Sequence, residues 1–274
     1  MSRRLSLDDF RAVRWQLDPH DFALSNGSDE APTNPIDEET WAGITHLPDD
    51  VAIRTSDHNG HRLALLYNLW SDWIAATSPP GGTDELLSCM LDAGDALQCS
   101  TFLYLHGYYR AAMAEMRVAL ELVMIGAYGN MSPQDTEYQS WKMGSGELGF
   151  TRVRKRTHAM LRRDQCKWLL ADGEFPDKLF RDLSNFTHPR SNSCDAALWN
   201  SSGPVYAHDT AMLTFFTLLS GYATSYLLVR IARPAFILPP GSRILFEEDW
   251  MPDRKGLSTA FEQLYGERAA PIDQ

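Results

Sequence analysis

At 274 residues the chain is long enough for one large hydrophobic core or two small ones. Hydrophobic residues make up 44% and charged residues 22%, ordinary globular usage that excludes wholesale disorder and a fibrous architecture. The formal net charge of −11 excludes a protein that coats duplex nucleic acid through a general basic surplus, and leaves room for a local basic site only.

The N-terminus, Met1-Ser2-Arg3-Arg4-Leu5-Ser6-Leu7-Asp8-Asp9, carries acids where a signal peptide has its apolar run, so no export is expected. Asp8 to Leu17 reads as a short helix. Asn26 to Pro35, rich in Asn, Gly, Ser, Asp and Pro, reads as a loop, and Pro48 to Ser56 as a short extended segment around Val51-Ala52-Ile53. Residues 1–56 are therefore expected to form a partly irregular, loop-rich N-terminal arm.

From His61 the pattern turns helical, with Leu63, Leu66, Leu69, Trp70, Trp73 and Ile74 at helical spacing until Ser78-Pro79-Pro80-Gly81-Gly82. Thr83-Asp84-Glu85 then offers an N-cap and acids for the first turn of a second helix, which runs to about Leu105. A third helix follows from His106 to Gly126–Gly129. It is apolar around most of its circumference, which places it at the centre of a bundle and makes its embedded charges informative. Arg117 and Glu121, four residues apart, share a face and form either a structural brace or part of a site.

Residues 130 to 149, with Pro133 and Gly144-Ser145-Gly146, read as a loop. The next helix, about Phe150 to Leu170, concentrates Arg152, Arg154, Lys155, Arg156, Arg162, Arg163 and Lys167 in an acidic chain. The run is either a solvated face or a phosphate-binding patch to which Arg152 and Arg156 would contribute. Asp177 to Thr187 forms a short helix stopped at His188-Pro189, residues 190 to 206 are irregular, and a long apolar helix spans about His208 to Ile231. That helix has the length to cross a bilayer, but Thr, Ser, Gly and Tyr throughout it favour a buried bundle helix and no membrane partner. Residues 234–274 read as a C-terminal appendage with a short amphipathic helix from Gly256 to Tyr265.

The expected fold is an all-α helical bundle of five to six main helices, with its bundle domain over 57–233. Cys89, Cys99, Cys166 and Cys194 lie far apart without a Cys-x-x-Cys pair, which favours free thiols and a cytoplasmic location. The chain carries no common nucleotide-binding or hydrolase signature, and His58 with His61 does not amount to a ligand set, so neither cofactor nor metal is expected.

One stripe carries chemistry. On a helix, Leu179, Leu183 and Phe186 fall on the apolar side, while Arg181, Ser184, Asn185 and His188 follow at steps of three, one and three. RNA cleavage without a metal needs a base for a 2′-hydroxyl and a cation for phosphate. His188 titrates near neutral pH and Arg181 forks onto phosphate oxygens, with Asn185 to orient them. The same stripe also reads structurally, with His188 capping the helix and Arg181 pairing with Asp177 or with Glu121 across the core.

At these residues the chain resembles the HEPN superfamily of helical bundles, whose motif is Arg, four to six intervening residues and His. Here Arg181 is followed by polar Asp182, and six residues separate it from His188. The resemblance implies a homodimer whose paired motifs cut RNA in toxin, phage-defence or RNA-processing systems, with Arg117 and Glu121 supporting the site. Tyr109-Arg110-Ala111-Ala112, Arg117 with Glu121, and Leu183-Ser184 with His188 downstream also look like a group of uncharacterised bacterial helical proteins. The competing expectation is a noncatalytic module that binds a small molecule or a protein partner through the same stripe.

Overall fold

The computed structural model describes residues 38–77, 84–163, 165–187, 203–247 and 254–266. Among these residues the chain forms nine α-helices and no strand: α1 (Glu38–Ala76), α2 (Glu85–Leu105), α3 (Tyr109–Met131), α4 (Thr136–Lys142), α5 (Phe150–Met160), α6 (Phe175–Thr187), α7 (His208–Ala232), α8 (Ile244–Glu247) and α9 (Arg254–Tyr265). The all-α bundle expected from periodicity is thus what the chain forms. Two compact units, Met1–Thr45 and His46–Gln274, divide it, and the helical core belongs to the second. The expected helix over Asp8 to Leu17, the loop over Asn26 to Pro35, Cys194 and His188 lie outside the described residues.

Residues 48–56 are helical, not extended as expected. Val51 and Thr55 are both buried, and the Thr55 hydroxyl donates to the Val51 carbonyl at 2.8 Å, so the four-residue period of the buried face overrides the local β-branched run. Helical geometry breaks within α1 only at Asn59 (φ −132°, ψ 22°), where the helix kinks.

α2 begins where the sequence predicts, with Asp84 accepting the Leu87 amide at 2.9 Å. α3 packs against α2, α5, α6 and α7 and is the central helix. It continues through Gly126 and Gly129, because those glycines admit Cys89 and the Tyr138 ring to its backbone. α7 is long and apolar enough to cross a membrane by length and composition, yet it lies mostly inside the fold. Cys89, Cys99 and Cys166 are free thiols, and burial pushes Cys89 up to about 12 and Cys166 to about 11.

The segment read as a C-terminal appendage contributes Leu238, Leu245, Phe246, Leu257, Ala260 and Phe261 to the same core. Phe246 stacks on Phe261 at 4.6 Å. The Ser242 hydroxyl, 3.0 Å from both Asp72 on α1 and Tyr226 on α7, fastens this segment to the bundle.

Candidate functional site

α6 starts just after Gly173, whose positive φ of 82° suits glycine and whose amide donates to Asp177 at 2.9 Å. Pro176 sits in the first turn, where a missing N–H costs no hydrogen bond, and Leu179, Phe180 and Leu183 turn into the core. The helix then spreads the polar stripe over three environments. Arg181 folds back along its own helix to Asp177, at 3.3 Å, and its side chain remains 61% exposed. Ser184 points to α3, where its oxygen accepts the Arg117 Nε–H at 3.1 Å. Asn185 faces a groove against α7.

Asp177 is not committed to Arg181 alone. Arg154 of α5, only 1% exposed, places its guanidinium 3.1 Å from Asp177 and 2.5 Å from Asp172, and also donates to the Leu170 carbonyl. Its bond to Asp172 is the main reason that this carboxyl titrates below its ordinary value. In the sequence Arg154 belongs to a run that reads as a solvated face or a phosphate-binding patch; burial with several oxygens around it is a tertiary arrangement that helical spacing does not reveal.

Arg117 and Glu121 form the half-buried pair expected from their spacing, 3.7 Å apart. Each also reaches another helix. The Arg117 guanidinium lies 4.9 Å over the Phe180 ring of α6, and Glu121 Oε1 accepts the amide of Phe150, the first residue of α5, at 3.0 Å. Arg110 Nε donates to the Phe186 carbonyl in the last turn of α6 at 2.7 Å. Together these contacts fasten α5 and α6 to the central helix.

Three further cations of the basic run are answered by acids. Arg152 lies 2.5 Å from Glu137, Arg156 lies 2.9 Å from Glu137 and 3.3 Å from Asp135, and Lys155 lies 3.4 Å from Asp172. Asp135 caps α4, and the Tyr138 amide is the main influence holding its carboxyl below the usual range. Asp135 and Glu137 are missed in the sequence because residues 130–149, read as a loop, contain the helix that presents them.

The groove between α6 and α7 has a volume of about 480 Å³. Phe175, Leu179 and Phe186 of α6 and Leu213 and Phe216 of α7 supply its apolar walls, and Lys178, Asp182, Asn185, Thr217 and Ser220 its polar groups. Desolvation is the main cause that raises the Asp182 carboxyl above its ordinary value. The signal was present in the sequence: Leu213, Phe216, Thr217 and Ser220 recur at three- and four-residue steps, as do Lys178, Asp182 and Asn185. Among the described residues no three His, Cys, Asp or Glu side chains come together to hold a metal ion.

The chain matches no protein-family model, no curated protein and no solved structure. The HEPN resemblance therefore rests on the sequence pattern around Arg181 and His188.

Proposed function

We propose that the protein is a helical binding module without chemistry of its own, and that the α6–α7 groove takes a small amphipathic molecule. The carrying observation is the groove itself: apolar walls with a few polar groups on one side, in a volume of about 480 Å³, within the range of ligand sites. The pairing of Arg117, Arg152, Arg154 and Arg156 with carboxylates supports this reading, since guanidinium groups already held by acids are poorly placed to clamp a phosphodiester.

Metal-independent RNA cleavage, with RNA as partner and a homodimer as the working unit, is the second reading. Arg181 favours it, because its side chain is 61% exposed on the helix that carries the motif.

Binding of an anionic aromatic dye, anilinonaphthalene sulfonate, tests the proposal. Saturable fluorescence enhancement that weakens at least ~tenfold in Leu213→Glu, a substitution on the exposed rim of the groove wall, is expected. No saturable binding, or equal binding by both proteins, contradicts it.

A further inference from the structure

The kink in α1 brings together a second polar cluster, remote in sequence from the α6 stripe. Asn59 is fully buried at the kink; its Oδ1 accepts Arg62 Nη1 at 2.6 Å and its Nδ2 donates to the Tyr206 hydroxyl at 3.4 Å. The Tyr206 oxygen lies 3.4 Å from His208 Nδ1, and the Tyr206 ring stacks on His58 at 5.1 Å. The Tyr109 hydroxyl accepts the Ala207 amide at 3.4 Å.

Two features of this cluster stand open. The Tyr104 side chain is fully buried and its hydroxyl has no hydrogen-bond partner among the described residues, although it lies within electrostatic reach of Arg62, Tyr109 and Tyr206. A buried hydroxyl without a partner costs about 1–3 kcal/mol, so its persistence calls for an acceptor. Arg62 has five N–H donors, of which one hydrogen bond, to Asn59, is made; its guanidinium also lies 5.8 Å from the Phe215 ring, and no carboxylate pairs with it among the described residues. α7 adds to the same side. Its N-terminal residue His208 follows Ala207, whose methyl group cannot cap the first amides, and Asp209 is the one acid in the first turn of this 25-residue helix.

The Asn59 oxygen is taken by Arg62 and the Tyr206 and Tyr109 oxygens each receive one N–H, which leaves the Tyr104 hydroxyl without a partner among the described residues. We propose that Arg62 and Tyr104, beside the N-terminus of α7, bind a small oxyanion, a single carboxylate or phosphate group. One oxygen accepts from the Tyr104 hydroxyl and another from the free edge of the Arg62 guanidinium, which suits the forked geometry of such groups.

The test is thermal melting of the whole chain in inorganic phosphate, sodium formate or sodium chloride at ~20 mM and matched ionic strength, with affinities from titration calorimetry. Phosphate or formate is expected to raise the melting temperature above the chloride value; a response to one alone assigns the group, and a response to both supports a general oxyanion site. Tyr104→Phe removes one unpartnered oxygen from the core and leaves the fold intact, so its chloride melt should equal or exceed that of the wild type while oxyanion affinity falls ~tenfold. Arg62→Gln should abolish the response. Equal melts of the wild type in all three salts overturn the proposal, and so does an oxyanion response that Tyr104→Phe leaves unchanged.

Discussion

The guanidinium of Arg154 lies 3.1 Å from the carboxylate of Asp177, and the same carboxylate is 3.3 Å from Arg181. One acid thus holds a buried cation of α5 and a surface cation of α6, with opposite energetic weight. Removing one partner of a buried pair leaves an uncompensated charge, whereas an exposed pair is screened by water. Asp177→Ala leaves Arg154 on Asp172 and the Leu170 carbonyl and takes the acceptor from the Gly173 amide, and is expected to destabilise the fold by about 1–3 kcal/mol in urea unfolding. Arg181→Ala should cost less than about 1 kcal/mol.

Glu121 is expected to act through the helix it caps. Glu121→Ala removes the acceptor for the Phe150 amide and the partner of Arg117, and should cost about 1–2 kcal/mol, whereas Glu121→Gln keeps an acceptor oxygen and should recover roughly half of that loss. Equal losses in the two variants would show that the charge, not the cap, matters.

Gly129 lies under the Tyr138 ring, where a Cβ atom would meet the ring carbons and the hydroxyl. Gly129→Ala therefore has to push Tyr138 off its 2.8 Å hydrogen bond to Glu85, and is expected to lower stability by about 1–3 kcal/mol despite the better helix propensity of alanine. A neutral or stabilising effect would mean that α4 is not held against α3 in solution.

Acid unfolding follows from the carboxylates that the fold holds low. Lys142, 2.5 Å away, is the main influence depressing Glu85, and the Tyr138 amide depresses Asp135. A depressed folded-state value means stability present above the ordinary values of 4.5 and 3.8 and lost as pH falls through and below them. Urea midpoints should accordingly drop between pH 5 and about pH 3, less steeply in Glu85→Gln.

Asp182 has the opposite sign. Its raised folded-state value means that ionisation works against the fold, so stability falls as pH rises from its ordinary value of 3.8 through the raised one. Asp182→Asn is expected to be slightly more stable than wild type at pH 7 and no more stable at pH 3.

Much of the bundle is legible in the sequence because it rests on local rules. Asp84 marks the start of α2, and the run from His208 to Ala232 is apolar enough to be recognised as one long helix. The Arg117–Glu121 and Arg181–Asp177 pairs follow from the four-residue period alone. What escapes is tertiary. The first half of α1 buries only a narrow face, and Pro48 disguises it. Arg154 looks like one cation in a basic run, because its oxygens come from Leu170, Asp172 and Asp177 beyond the helix end. Leu238, Leu245 and Phe246 belong to the core, yet prolines and glycine between them leave no period to read.

Whether the polar residues of α3 and α6 brace the bundle or cut RNA is decided by incubating a mixed RNA pool in EDTA with wild type, Arg117→Ala, Arg181→Ala and His188→Ala, and recording each protein's melt. Intact RNA is expected throughout, with a melting temperature several degrees lower for Arg117→Ala. RNA cleaved by the wild type and spared by Arg181→Ala and His188→Ala, with their melts unchanged, would contradict the bracing role.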